Sequence, residues 1–259
     1  MSKKCALIMV TYNNYDVLLE AITSVYLHTN PSLYQLFIID NASTDKTKEL
    51  SKQSLINTHV EHMTSNLYWV GGINRGLELT QDYDYIFFLN DDIEVYNNWL
   101  ENHIHVLDEN KKIGAVGPLN SSPRDWQFYN NVRDKFNLYG ILPYMRSEKL
   151  DDLKYVNNQI KNNRMLTIRG MLAFFCTAFR RETIDKVGYL DERFVMGGDD
   201  DAYCRELEKN NYKLVLLLNT YIKHKAGSSI NKMETTTKKQ IDEKNRKLLR
   251  ELYPEYYLA

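Results

Sequence analysis

Two acidic clusters and one histidine carry the strongest chemical signal in this chain. Asp91 and Asp92 follow the apolar run Tyr85 to Leu89, so they emerge from a buried strand at its exposed tip. Adjacent carboxylates repel there unless something positive separates them, and hard oxygen ligands suit manganese or magnesium, which keep positions for water and phosphate. An acidic turn leading into the next helix is the plainer alternative. The second cluster, Asp199, Asp200 and Asp201, follows Gly197 and Gly198 and opens a helix carrying Tyr203, Arg205 and Leu207. A helix dipole favours carboxylates at that end, but three in a row exceed what capping needs. Two glycines upstream admit the close approach of a ligand or another backbone, and a carboxylate held there can serve as a general base. His224 lies between Lys223 and Lys225 after an apolar strand, where a lone histidine is either structural or a metal ligand.

Those side chains need a scaffold, and the chain alternates strand and helix patterns to supply one. Cys5 to Val10, Leu36 to Ile39 and Tyr85 to Leu89 are short apolar runs bounded by polar turns, as in strands buried on both faces. Helical spacing follows each of them: Val17 to Tyr26, Thr47 to Leu55, and about Asn97 to Leu107. Strands alternating with helices predict an α/β fold with a mostly parallel central sheet flanked by helices. In such sheets ligands bind beyond the carboxyl ends of the strands, and three strands in succession end in polar triplets. These are Thr11, Tyr12 and Asn13; Asp40, Asn41 and Ser43; and Asn90, Asp91 and Asp92.

The alternation stops at Gly117. A polar, aromatic stretch punctuated by Pro118, Pro123 and Pro143 follows, and regular patterns resume at Leu166 to Phe179, Glu182 to Val187, beyond Asp200, and at Lys213 to Leu218. The expected organisation is a first half over 1–118, an insertion over 119–164, a second half over 165–230, and a helical tail over 231–259. Within the insertion, Trp126, Phe128, Tyr129, Tyr139 and Tyr144 are read either as a surface that stacks on a ligand or as a small local core. The tail is read as packing on its own domain, with a dimer contact or a peripheral membrane helix as alternatives.

Composition narrows the field. A net charge of -1 from 33 basic and 34 acidic residues leaves no global field for a nucleic-acid backbone. Cys5, Cys176 and Cys204 lack CxxC spacing and read as reduced, buried thiols. With no stretch apolar enough to be a signal peptide or a membrane span, the expected location is cytoplasmic, at most touching the inner face of a membrane. The glycines of Asn66 to Gly76 match neither a dinucleotide fingerprint nor a P-loop.

Six ordered segments together resemble the family 2 glycosyltransferases, inverting enzymes with the GT-A fold. They are VTYNN at 10–14, IIDNASTD at 38–45, Asn66 with GGINRG at 71–76, FFLNDD at 87–92, GGDDDAYCREL at 197–207 and HKAGSS at 224–229. The resemblance implies a GT-A nucleotide-diphospho-sugar transferase fold with an acceptor-side lobe, in which 1–118 is the nucleotide-sugar-binding half, 119–164 an acceptor-side loop region and 165–230 the acceptor and catalytic half. It places Thr11, Tyr12 and Asn13 at the nucleotide, Asp40 on the base, Asn74 and Arg75 on the nucleotide, and Asn90 with Asp91 at the ribose or donor sugar. Asp92 and His224 would hold Mn2+ or Mg2+. Relatives commonly carry Glu-Asp at the second acidic motif, the aspartate serving as base, whereas this chain has Gly198 in place of the glutamate. Counting back from Arg205 makes Asp199 the base, with Asp200 second.

No Gln-x-x-Arg-Trp motif of the processive synthases is present, so one sugar per encounter is expected. The donor would be a UDP sugar, or else a dTDP sugar, and the acceptor a glycan, a lipid-linked saccharide or a protein. Two other classes stand against this one. A sugar nucleotidyltransferase would show a glycine- and arginine-rich loop after the first strand, where Thr11 to Asn14 stand. A non-catalytic carbohydrate-binding protein would keep the fold and pocket without turnover.

Overall fold

The computed structural model describes residues 4–122, 127–138, 165–225 and 235–257. Its centre is strand β1 (Cys5–Thr11), all seven residues buried, flanked in parallel by β2 (Tyr34–Asp40) and β4 (Tyr85–Asn90). Beyond β2 lies β3 (Thr58–His62), also parallel. This strand is only half-buried and reads THVEH, so it lacks the apolar run that marks its neighbours; pairing on one side alone lets an edge strand be polar.

On the other side of β4, β8 (Cys176–Arg180) runs antiparallel between β4 and β6 (Ile113–Asn120). Strand β6 pairs in parallel with the long β9 (Lys213–His224), against which β7 (Met165–Ile168) and the two-residue β5 (Ile93–Glu94) lie antiparallel. One sheet of order β3-β2-β1-β4-β8-β6-β9 therefore runs through both expected halves, parallel in the first and mixed in the second. Strand β6 was read only as the place where alternation ends, because Gly114, Gly117 and Pro118 break its apolar run.

Strand periodicity builds two cores, one on each face. Ala6, Ile8 and Val10 of β1, with Phe37, Ile39, Ile86 and Phe88, meet helix α2 (Tyr68–Leu79) and helix α6 (Asp199–Lys209). Cys5, Leu7 and Met9, with Leu36, Ile38, Phe87 and Leu89, meet helices α1 (Tyr15–His28) and α3 (Trp99–Glu109). The glycines of α2 explain how closely it lies on the sheet: a Cβ at Gly76 would stand 2.3 Å from Ile8 Cγ2, and one at Gly72 2.6 Å from Val10 Cγ1. They are packing glycines. The expected helix over 47–55 is instead a seven-residue 3-10 helix, Lys46–Lys52, opened by Asp45 accepting from the Thr47 amide at 3.0 Å.

Helix α4 (Tyr129–Lys135) is a short element after β6, and α5 (Arg181–Val187) follows β8 directly. The last helix, α7 (Thr235–Leu252), sets Leu249 and Tyr253 against Phe194 and Ala202. Its apolar face is thus spent on its own domain, and the opposite face carries Lys239, Asp242, Glu243, Arg246, Lys247 and Arg250. Among the described residues no helix is long and apolar enough to cross a membrane. All three cysteines are free and buried.

Candidate active site

The carboxyl ends of β1, β2, β3 and β4 bring the first set of predicted residues to one edge. Register places Thr11 beside Asp40 and Asp40 beside His62, with Asn90 beside Val10. Thr11 Oγ1 donates to Asp91 Oδ2 at 2.7 Å, both side chains being buried. Burial pushes the Asp91 carboxyl up to about 6; the Thr11 hydroxyl opposes that rise and the Asp92 charge adds to it. Tyr12 is 40% exposed at the same edge.

Asn13 has a structural role that its place in the motif does not reveal. It sits at φ 49, receives the Thr44 amide at 2.7 Å and the Asp45 amide at 3.2 Å on Oδ1, and donates its own amide to Ser43 Oγ. These bonds stitch the loop after β1 to the loop after β2. Asp40 is fully buried: Oδ1 accepts from the Ser43 amide at 3.0 Å and Oδ2 faces His62 Nδ1 at 2.6 Å. The polar group that Asp40 presents outward is therefore the half-exposed imidazole of His62, a residue the sequence did not single out.

Asn74 and Arg75 do not stand free for a nucleotide. Asn74 closes on Leu190 from both sides, accepting from its amide at 3.0 Å and donating to its carbonyl at 2.9 Å, so it fastens α2 to the loop beyond α5. The Arg75 guanidinium is taken by Glu61 and Glu78, each at 2.8 Å, near the outer strand β3. In both cases helix orientation decides which protein partner the side chain meets.

A carboxylate–imidazole pair, Asp92 with His224, forms across a long sequence distance. Strand β5 pairs with the end of β9, Ile93 opposite His224, and this ladder sets Asp92 Oδ1 3.3 Å from His224 Nε2. Asn90 Nδ2 lies 3.1 Å from the same nitrogen, Phe175 stacks flat on the imidazole at 4.8 Å, and Ser121 Oγ accepts the His224 amide at 2.9 Å. Phe175 and Ser121 belong to no motif, and no local pattern marks them.

Asp92 and His224 together fit a divalent cation. Two ligands about 2.1 Å from one ion at right angles stand about 3 Å apart, close to the observed spacing. Depending on the tautomer, His224 Nε2 either donates to the Asp92 carboxylate or presents a lone pair beside it, and the second arrangement offers a nitrogen and an oxygen ligand to one cation. Among the described residues, no group of three or more His, Cys, Asp and Glu side chains is arranged around a metal position, so further ligands would come from substrate or water.

The Asp199 cluster opens α6, and its three aspartates differ in surroundings. Asp201 pairs with Arg205 Nε at 3.1 Å and accepts from Tyr257 at 3.4 Å. Asp200 Oδ1 accepts the Asp201 amide at 2.9 Å. Asp199 is partly exposed as a residue, but its carboxyl is withdrawn from solvent, and burial pushes it up to about 6 against backbone hydrogen bonds from its own amide and from Gly197. The segment 170–175 ties this cluster to the first: the Leu172 amide meets Cys204 Sγ of α6 at 3.3 Å, while the Phe175 carbonyl accepts the Asn90 amide at 2.9 Å.

The family model of Glycosyl transferase family 2 matches residues 6–188, more than half of the chain. This chain belongs to glycosyl transferase family 2. The match carries the nucleotide-side strands and the aspartate pair, and it ends before α6, β9 and α7. No curated protein matches the chain by sequence. Among solved structures, mannosyltransferase PcManGT from Pyrobaculum calidifontis in complex with GDP-Man and Mn2+ is similar, with a TM-score of 0.65 at 17% identity over 88% of this chain. GalNAc-T7 with UDP, GalNAc and Mn2+ is similar with a TM-score of 0.63 at 13% identity over 86% of this chain. At such identities the likeness is one of fold, the GT-A glycosyltransferase fold. The chain spans 59% and 44% of those two proteins' lengths.

In the insertion, Phe128 is buried with Val132 in the main core of the sheet, neither on an exposed stacking surface nor in a separate local core. Trp126, Tyr139 and Tyr144 lie outside the described residues, as do 226–229 of the HKAGSS segment.

Proposed function

We propose that this glycosyltransferase moves one sugar from a nucleotide-sugar donor, a UDP sugar first and a dTDP sugar second, to a hydroxyl of a glycan, lipid-linked saccharide or protein, with inversion. The observation that carries the proposal is the Asp92–His224 pair, 3.3 Å apart beside the buried Thr11–Asp91 bond at the carboxyl edge of the sheet. The UDP, GDP-Man and Mn2+ held by the two similar structures support a nucleotide-sugar donor and a divalent cation.

Each residue has a task that follows from its surroundings. Asp92 and His224 would hold Mn2+ or Mg2+, which supplies positive charge to a leaving diphosphate. Thr11 bonds Asp91, Asn90 bonds Nε2 of His224 and Phe175 covers the ring's face, so the pair is held ready rather than assembled on binding. Tyr12 stacks on the base, while His62, held by Asp40, meets its polar edge. Asp199 accepts the acceptor hydroxyl's proton as that oxygen attacks the anomeric carbon opposite the departing diphosphate, and this inverts the centre. Asp201 is committed to Arg205, which leaves Asp199 and, second, Asp200 as the candidate bases. We place the protein in the cytoplasm, with the charged outer face of α7 open to the inner membrane surface.

Incubating the chain with UDP, dTDP and GDP sugars, with and without Mn2+, tests this reading. Metal-dependent release of nucleoside diphosphate supports it. Pyrophosphate release would identify a nucleotidyltransferase instead, and binding without turnover a carbohydrate-binding module.

A further inference from the structure

Helix α7 lies beyond the family match, yet it grips the residue next to the Asp199 cluster. Its Asn245 is 3% exposed in the middle of the face that holds Leu249 and Tyr253. The side-chain amide donates twice, to the Met196 carbonyl at 2.8 Å and to the Gly197 carbonyl at 2.6 Å. Two bonds from one buried amide to successive carbonyls fix a backbone far more tightly than packing alone.

That backbone is an unusual one. Gly197 and Gly198 both adopt φ 79, a conformation that a side chain resists, and a Cβ at Gly198 would stand 3.3 Å from Phe194, 3.4 Å from Leu249 and 3.5 Å from Asn245. A glutamate there, common in relatives, would set its side chain on this strained backbone and against Phe194, Leu249 and Asn245. Asn245 thus holds the carbonyls of the two residues before Gly198, and Asp199, the first residue of α6, follows directly from that turn.

We propose that Asn245 is a positioning residue for Asp199: it holds the double-glycine turn that aims the carboxylate, and the C-terminal helix is thereby part of the catalytic half. The inference rests on Asp199 being the base. It is tested on the full chain by comparing Asn245→Ala, Asp199→Asn and, as a control that loosens α7 elsewhere, Leu248→Ala. The measurements are hydrolytic turnover of the UDP sugar that reacts in the donor panel, UDP affinity, melting temperature, and amide hydrogen exchange over 196–201.

Asn245→Ala should lower kcat roughly tenfold to a hundredfold with KM and UDP affinity unchanged, because misplacement of a reacting group costs on that scale. Exchange over 196–201 should quicken, and Leu248→Ala should keep its kcat even as its melting temperature falls. Unchanged kcat in Asn245→Ala, or an equal loss in Leu248→Ala, would overturn the inference. Full turnover in Asp199→Asn removes the base itself and is thereby told apart from a failure of Asn245. Should Asn245→Ala not fold, Asn245→Ser, which keeps one donor, carries the same comparison.

Discussion

The two halves of the sheet reach their functional edge by different means. In the first, β1, β2, β3 and β4 run parallel, so every carboxyl end arrives at the same edge and the residues after each strand meet automatically. In the second, β8 runs antiparallel to both neighbours, and the functional groups come from a helix start and from the far end of a long strand. One half uses topology to gather its side chains. The other depends on individual long-range bonds, among them the β5–β9 ladder that delivers His224 and the Asn245 bonds beneath Asp199. A single change should therefore cost more function and less stability in the second half than in the first.

Removing the chemistry outright should have the largest effect and shows whether the two regions act on one reaction. Asp92→Ala should lower turnover roughly a thousandfold, since loss of charge neutralisation at a leaving diphosphate costs several kcal/mol. Asp199→Asn should lower it roughly 10^2-fold to 10^4-fold, the range for a general base. Both proteins should melt as the parent does, measured by thermal unfolding alongside kinetics. If only one variant loses turnover, the halves do not serve a common step.

A pH profile sharpens the comparison within the second half. Burial raises the Asp199 carboxyl to about 6, and a base works only when deprotonated. Turnover should be full above that value and decline as pH falls through it, and the residual rate of Asp199→Asn should lack that limb. A limb surviving in Asp199→Asn assigns it to another group.

In the first half the corresponding weak point is packing. Gly76→Ala sets a Cβ 2.3 Å from Ile8 Cγ2 across the α2–β1 contact, and overpacking of this kind costs about 1 to 3 kcal/mol. Denaturant unfolding should show that loss with KM for the donor little changed. Unaltered stability would mean that α2 shifts freely on the sheet, against the rigidity assigned to this half.

The smallest expected effect is at His62. Replacing it by alanine removes one half-exposed hydrogen bond, so UDP affinity measured by calorimetry should weaken by about fivefold to tenfold, the scale of roughly 1 kcal/mol. Asp40→Asn, which turns an acceptor-only partner into an amide, should weaken it comparably. Undiminished affinity in both variants would leave base recognition to the Tyr12 stack alone.

The sequence by itself determined much of the first half. Apolar runs at Cys5 to Val10, Leu36 to Ile39 and Tyr85 to Leu89 are strands because nothing else buries short fully apolar segments on two faces, and their polar endings marked Thr11, Asp40, Asn90, Asp91 and Asp92. Strand β3 escaped notice because an edge position relieves it of apolar residues, and β6 because glycine and proline interrupt its run. The assignments of Asn74 and Arg75 to the nucleotide rested on their place in a motif, which says nothing of the direction in which a helix presents them.

Tertiary structure alone decided the rest. That Asp40 is sealed behind His62, that His224 meets Asp92 under the ring of Phe175, and that Gly198 faces a C-terminal helix are contacts between residues dozens to more than a hundred positions apart. Local patterns register periodicity and turn chemistry, which are properties of neighbours in the chain. Which distant side chain closes a hydrogen bond or crowds a glycine depends on the packed arrangement of elements, and that arrangement exists only once the chain has folded.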